Sequence, residues 1–273
     1  MNDQPATVSS SRTRVVDRSE YAKRVIIRWV LPATALLGLW QFVAYMAGGI
    51  SLTDVAIAFM KLVQYGAEGR TLIEHSLVSL SRVVVGFGVA AATAMPLGIL
   101  VGRYKAVDAV VGPVVEATRP IPPIAWIPLS IMMFRTNLAA AQIFIIWIGA
   151  FFPILINTVT GVKRTSPVHL DVARTFNATE LQILQKIVVP SAAPEMLAGL
   201  RIGFGIGWMC LIAAEMIGGG LGLGYLTIIM EQLGRTGETI STLLTIGFFG
   251  FVFTYAFLRM ERRLLRWRRE VAV

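Results

Sequence analysis

Few side chains in this chain are of the types that do covalent or metal chemistry. There are two histidines, His75 and His169, far apart in the sequence, and one cysteine, Cys210. Metal centres use three or four ligands in one place, and two distant histidines without a Cys cluster do not supply them. No Ser/His/Asp arrangement stands out, and the phosphate loop Gly-x-x-x-x-Gly-Lys-Ser/Thr is absent. The chain therefore has no such route to ATP, and no cofactor or catalytic residue is expected on it. What remains is charge where charge is costly. Arg82, Glu116, Arg119 and Glu215 lie within or at the ends of apolar stretches, where an ionised group costs roughly 2.5–3.5 kcal/mol even on the lenient insertion scale. Two uses are open. Arg82 and Arg119 attract an anion along a path, or they pair with Glu215 and Glu116 and fix helix positions. Glu116 and Arg119 sit three apart, which suits a local pair on one helical face.

A second constellation lies at Leu170–Pro190, LDVARTFNATELQILQKIVVP, a charged island between two apolar segments. Ser166 before Pro167 reads as an N-cap and first helical position. Ala173 and Phe176 are expected on one face with Arg174 beside them. Asn177 suits a left-handed helix-ending position. Thr179 with Gln182 three residues on makes a capping box, and Leu181, Leu184, Ile187 and Val188 form an apolar stripe. The loop is expected to be two short helices with a sharp turn between them. Such a hairpin either packs on the chain's own end or offers a docking surface.

These groups must be held by an all-α, polytopic membrane bundle. The chain is 55% hydrophobic and 15% charged, with mean hydropathy +0.68, against about 25% charged residues in soluble domains. Six apolar segments stand out, at 26–47, 77–101, 110–134, 138–162, 196–217 and 239–258. Each approaches the roughly 20 residues needed to cross a bilayer. The third holds Glu116, Arg119 and several prolines, so five spans is the alternative. Lys and Arg sort by side. Arg12, Arg14, Arg18, Lys23, Arg24, Arg28, Arg103, Lys105, Lys163, Arg164, Arg174, Lys186 and the tail arginines from Arg259 to Arg269 fall on one side; Lys61, Arg70, Arg135 and Arg235 fall on the other. The positive-inside rule then puts both termini in the cytoplasm. The net charge of +9 is thus topological, and it lacks the aromatic interleaving of nucleic-acid surfaces. Residues 1–24 are expected to be a cytoplasmic, disordered leader, 25–258 the transmembrane domain with its loop at 163–193, and 259–273 a basic cytoplasmic tail.

Local breaks refine this frame. Pro120, Pro122, Pro123 and Pro128 exclude a continuous helix, and broken backbone at membrane depth is tolerated where it is buried or lines a watery cavity. Arg82, Arg119, Pro122, Trp126 and Trp208 are the candidate pathway residues, with Trp126 gating by bulk and Trp208 facing it. Gly203, Gly205 and Gly207 allow close helix approach. In the outer loop, Leu52, Val55, Ala56, Phe59, Leu62 and Val63 recur at helical spacing. They mark a helix lying on the membrane surface or packed as a lid on the bundle.

The loop closely resembles the coupling loop of permease subunits in bacterial ATP-driven (ABC) importers, which reads roughly Glu-Ala-Ala, three residues, Gly, nine residues, Ile-x-Leu-Pro. Asp171-Val172-Ala173 stands for Glu-Ala-Ala, Asn177 for the Gly, and Ile187 to Pro190 for the end. RPIPPIAWIPLSIMMF, FIIWIGAFFPILINTVTGVK, LAGLRIGFGIGW and AAEMIGG extend the resemblance over residues 72–267 to the permeases for nitrate, sulfonate, taurine and bicarbonate. The chain departs from it at Met133–Asn137, where the family often has Trp-Phe-Gly-Ile-Gly. The resemblance implies a type I importer permease in the bacterial inner membrane, working by alternating access on a small oxyanion or organosulfonate. The implied docking residues are Asp171, Ala173, Arg174, Thr175, Phe176, Asn177, Ala178, Ile187 and Pro190. The implied partners are cytoplasmic ATPase subunits that use ATP and magnesium, an extracytoplasmic binding protein, a second permease copy and lipid. A secondary transporter driven by an ion gradient is a rival, but no internal repeat of the kind such folds carry is visible. A non-transporting membrane scaffold is another.

Overall fold

A computed structural model of the chain describes Ile27 and residues 31–265. The leader, the basic residues from Arg12 to Arg28 and the tail beyond Leu265 lie outside the described residues, as does the start of the first expected span. Among the described residues the secondary structure is helical, apart from one isolated bridge between Ala67 and Arg70.

Two compact units separate at Asp54. The first holds α1 (Leu31–Ala47) and the start of α2 (Leu52–Gln64). Its turn is closed locally. Trp40 Nε1 donates to the Ile50 carbonyl at 3.2 Å, and the Leu52 amide donates to Gln41 Oε1 at 3.1 Å. The Ser51 hydroxyl and amide both donate to Asp54 at the head of α2, holding its carboxyl below the ordinary range.

The second unit contains the rest of α2, then α3 (Leu72–Arg103), α4 (Lys105–Thr118), a 3-10 turn (Pro123–Trp126) and α5 (Ile127–Met133). These are followed by α6 (Leu138–Lys163), α7 (Pro167–Thr175) and α8 (Glu180–Ile183). A π turn (Leu184–Val188) leads into α9 (Val189–Gly218), and α10 (Leu223–Gln232) and α11 (Thr236–Leu264) complete it. Among the described residues, four helical stretches are long and apolar enough to cross a membrane: α3, α6, Glu180–Gly218 and α11. They match the second, fourth, fifth and sixth expected spans.

The third expected span is not one helix. Pro120, Pro122 and Pro123 have no N–H to give, and α4 ends before them. Pro123 opens the 3-10 turn, and Pro128 falls in the first turn of α5, where its missing N–H costs nothing. The outer helix α2 is a packed lid. Val55, Ala58 and Leu62 are buried, whereas Ala56 and Phe59 of the expected stripe are exposed. Ser241 Oγ of α11 donates to the Val55 carbonyl at 3.0 Å.

The centre of this unit is α6, gripped along its length by both α3 and α9. Small residues make the grip possible. On α3, Gly86, Ala90, Ala94, Gly98 and Gly102 recur every four residues. A Cβ added at Gly86, Gly98 or Gly102 would sit 2.7 Å from a side-chain carbon of Ile146, Thr158 or Val162, residues themselves spaced along one face of α6. On α9, Gly199 meets Asn157 and Gly203 meets Ile154 and the Ala150 carbonyl. Gly207 is also close to α6, but Gly205 faces open space, so it is not part of the close approach the sequence leads one to expect. Lipid tails are as apolar as these side chains, so close packing rather than hydrophobic exclusion holds such helices together.

Gly98→Leu should therefore force apart α3 and α6. Overpacking a close contact costs about 1–3 kcal/mol. The melting temperature of the detergent-purified protein should fall well below that of Gly88→Ala, a change on the same helix where a Cβ meets nothing within 4 Å. Equal melting of the two variants would show that this contact does not limit stability.

Candidate docking loop and transmembrane pathway

The loop after α6 is built by local rules. Pro167 stands at the first helical position after Ser166, although the Ser166 side chain makes no cap bond. At the far end of α7 the Asn177 amide donates to the Arg174 carbonyl at 2.9 Å, and the Ala178 amide donates to the Ala173 carbonyl at 3.0 Å. With Asn177 at φ +55°, this is a Schellman motif on a residue that tolerates the left-handed conformation. Thr179 and Gln182 exchange both bonds of a capping box. Arg174 reaches Asp171 at 3.4 Å and Glu180 at 4.0 Å across the turn, and Thr175 Oγ1 donates to the Asp171 carbonyl.

The faces differ from the expected ones. Ala173 and Phe176 do not share a face. Ala173 is buried with Ile183, Val188, Ala192 and Met196, while Phe176 is 82% exposed. One residue past the end of α7, the chain has already begun to turn, and this swings Phe176 outward. In the second helix Ile183 takes the buried place expected of Leu181, which is exposed; Leu184, Ile187 and Val188 do face the core. Ala178 and Ile187 also pack inward, whereas Asp171, Arg174, Thr175, Asn177 and Pro190 are exposed.

The second helix is not a separate hairpin arm. It runs through the π turn directly into α9. The Val189 amide bonds to the Leu184 carbonyl, five residues back. Pro190 lacks an N–H and its ring crowds the carbonyl four residues earlier, so widening this turn lets the helix continue past it. The exposed apolar residues of this loop that composition alone passes over are Val168, Val172 and Leu181, besides Phe176. The spacing of 168, 172 and 176 in fours was the available signal.

At the opposite end of α3 and α9 lies a buried polar hub. Glu215 is fully buried. Its carboxylate accepts from Arg82 Nη1 at 3.0 Å, Ser79 Oγ at 2.9 Å and the Gly224 amide at 3.0 Å. Arg82 also donates to the Leu221 carbonyl, Ser79 Oγ accepts from the Leu223 amide, and the Gly222 amide meets His75 Nδ1. A Cβ on Gly222 would lie 2.2 Å from the Glu215 carboxyl, at φ +138°. The segment after α9 is thus clamped onto α3. Arg82 is a structural partner of Glu215.

The other proposed pathway residues separate. Trp208 is buried against Phe249 and Phe253 of α11 and does not face Trp126. Positions 206, 210, 213 and 214 of α9 carry the side chains that cluster with Trp126. Trp126 borders an apolar cavity of about 300 Å³ with Val111, Val115, Phe144, Trp147 and Phe151, and its Nε1 is buried without a partner among the described residues. Arg119 and Pro122 are exposed in the broken segment and are not among the residues lining that cavity. No ion pair joins Arg119 to Glu116 among the described residues. Asn137, in the stretch where the sequence departs from the resemblance, caps α6 through a bond from the Ala140 amide.

Residues 94–270 match the model of the binding-protein-dependent transport system inner membrane component. The chain belongs to this family. It is 39% identical over 252 residues to a Methanocaldococcus jannaschii protein named as an ABC transporter permease, covering 90% of this chain and 94% of that one. It is 32% identical to the taurine transport permease TauC of Escherichia coli (74% and 73% covered) and 31% identical to the nitrate import permease NrtB of Leptolyngbya laminosa (90% and 93%). The fold matches the inward-facing MetNI methionine ABC transporter with TM-score 0.61 at 19% identity, over 71% of this chain and 95% of that one. The chain is thus an integral membrane permease subunit of the ABC importer type, with the type I fold.

Removing one partner of a buried ion pair costs about 3–5 kcal/mol, because the other charge is stranded. Arg82→Leu should therefore sharply lower thermal stability and yield in detergent, and Arg82→Leu with Glu215→Leu should recover much of the loss. Wild-type stability of Arg82→Leu would show that the pair does not hold the hub.

Proposed function

We propose that this permease carries a small oxyanion or organosulfonate inward, driven by ATP hydrolysis on separate cytoplasmic ATPase subunits that use magnesium-bound ATP. An extracytoplasmic binding protein delivers the substrate, and two permease copies form the path. Both termini and the α7–α8 loop face the cytoplasm. The substrate class rests on relatives named for taurine, nitrate, bicarbonate and aliphatic sulfonates. The orientation rests on the distribution of Lys and Arg.

One observation carries the docking role. Phe176 stands 82% exposed on a loop whose backbone is fixed on both sides of it. A large aromatic held out in water by a rigid turn, flanked by Val172, Leu181, Asp171 and Arg174, has the form of an anchor for a pocket on another protein. Arg103 of α3 holds Glu180 of the same loop at 2.6 Å. Because α8 continues into α9, a push on the loop is transmitted along a helix into the bundle rather than absorbed in a hinge. Alternating access would follow from that displacement.

Truncating a buried interface aromatic costs about 2 kcal/mol or more, roughly a 30-fold loss of affinity. Phe176→Ala should abolish co-purification of the ATPase while leaving membrane insertion and melting temperature unchanged, since the side chain touches little of its own chain. Full recovery of the ATPase with this variant would move the docking surface elsewhere.

The pathway is assigned to the broken segment, where Arg119 is exposed and in no ion pair among the described residues, a few residues ahead of Trp126. Arg119→Ala should lower anion uptake in reconstituted vesicles by about tenfold, the effect of losing a charge-assisted contact of about 1.4 kcal/mol, with ATPase association intact. If Glu116→Gln combined with Arg119→Gln transports at the wild-type rate, Arg119 has no part in conduction.

A further inference from the structure

A second pocket, of about 390 Å³, lies at the loop end of the bundle, on the inner side of the docking loop. Its walls are the end of α3, the start of α4 and the end of α6, and Leu170 and Val188 of the loop close it. Three cationic side chains border it, Arg103, Lys105 and Lys163, against one carboxylate, Asp108. Lys163 is bonded to Asp108 at 2.7 Å, and Arg103 to Glu180 at 2.6 Å. Lys105 is in no ion pair among the described residues.

Two further features point to a ligand. Thr165 lines the pocket and is only 7% exposed, yet its Oγ1 has no hydrogen-bond partner among the described residues. A buried hydroxyl left unpaired is destabilising, and a bound acceptor would relieve it. Lys105 is also the first residue of a 14-residue helix whose cap, Tyr104, supplies no side-chain acceptor to the first-turn amides, so the helix end adds its own attraction for an anion. Val101, Val162, Leu170 and Val188 give the same pocket apolar walls, and Leu100, one residue before Val101, and the cap residue Tyr104 are exposed. A free anion has no use for that apolar flank; an acyl chain does.

We propose that this pocket holds the phosphate group of an anionic phospholipid. Lys105 and the start of α4 face the phosphate, Thr165 Oγ1 donates to it, and the acyl chains run past Leu100. Basic pockets between helices at the membrane boundary are suited to such headgroups. The phosphate would tie the start of α4 to the root of the docking loop, so the lipid braces the loop from behind while its outer face stays free. The proposal depends on the cytoplasmic orientation above only for which leaflet supplies the lipid. Binding measured in detergent does not depend on that orientation.

The test is native mass spectrometry of the full chain in neutral detergent, titrated with phosphatidylglycerol, phosphatidylcholine or inorganic phosphate. One phosphatidylglycerol should be retained in preference to phosphatidylcholine. Lys105→Gln should weaken its retention about fivefold, the effect of one basic residue near an anionic headgroup. Thr165→Val should weaken it further without lowering the melting temperature, and Lys105→Arg should keep it at unchanged melting temperature. Equal retention of phosphatidylglycerol by the wild type and the Lys105→Gln/Thr165→Val double variant would overturn the site, as would equal retention of phosphatidylcholine. Inorganic phosphate that binds alone and displaces phosphatidylglycerol would keep the phosphate chemistry and overturn the lipid as its source.

Discussion

Everything in this bundle depends on how closely α6 can be approached. In a bilayer there is little to gain from moving one apolar helix out of lipid and onto another, so cohesion comes from the area of tight contact. The stripe from Gly86 to Gly102 removes the side chains that would keep α3 away, and Gly199 and Gly203 do the same for α9. With α3 and α9 both locked onto α6, their two ends become fixed platforms. The polar hub is built at one end and the docking loop at the other.

The hub shows what a buried charge can do when both of its oxygens find donors. Glu215 draws together α3, α9 and the chain entering α10 through bonds from Arg82, Ser79 and Gly224. The glycines around it follow from space. A side chain at Gly222 would overlap the carboxyl group, and one at Gly224 would overlap the Ile212 carbonyl. Desolvating such a pair is costly. What it secures is geometry: the exit of α9 is tied to a fixed register on α3.

The docking loop achieves rigidity differently, with few tertiary contacts and nearly complete local bonding. A Schellman motif closes α7, a capping box opens α8, and the π turn carries the helix past Pro190. Ala173, Ala178, Ile183 and Val188 press the loop onto the bundle. The large apolar group left outside at the turn is Phe176. Residues that face inward here serve the loop's shape, and residues that face outward are left for a partner.

Much of this was legible in the sequence because it obeys local rules. Hydropathy marked the four long spans, the prolines marked the break after α4, and the loop's spacing announced Asn177 as a left-handed residue and Thr179 with Gln182 as a cap. The family was legible in the same motifs. The four-residue recurrence of small residues on α3 was also present, though hydropathy is blind to it. Tertiary structure decided which face each side chain shows. Phe176 turns away from Ala173 because the helix ends between them, and Ile183 replaces Leu181 in the core because α8 continues into α9 at a fixed rotation. Trp208 belongs to α11 rather than to Trp126, and Arg82 to Glu215 rather than to an open path, because close packing on α6 sets the rotation of α9 and α3. Spacing along a chain fixes which residues share a helix face, but only the neighbouring helices determine what that face meets.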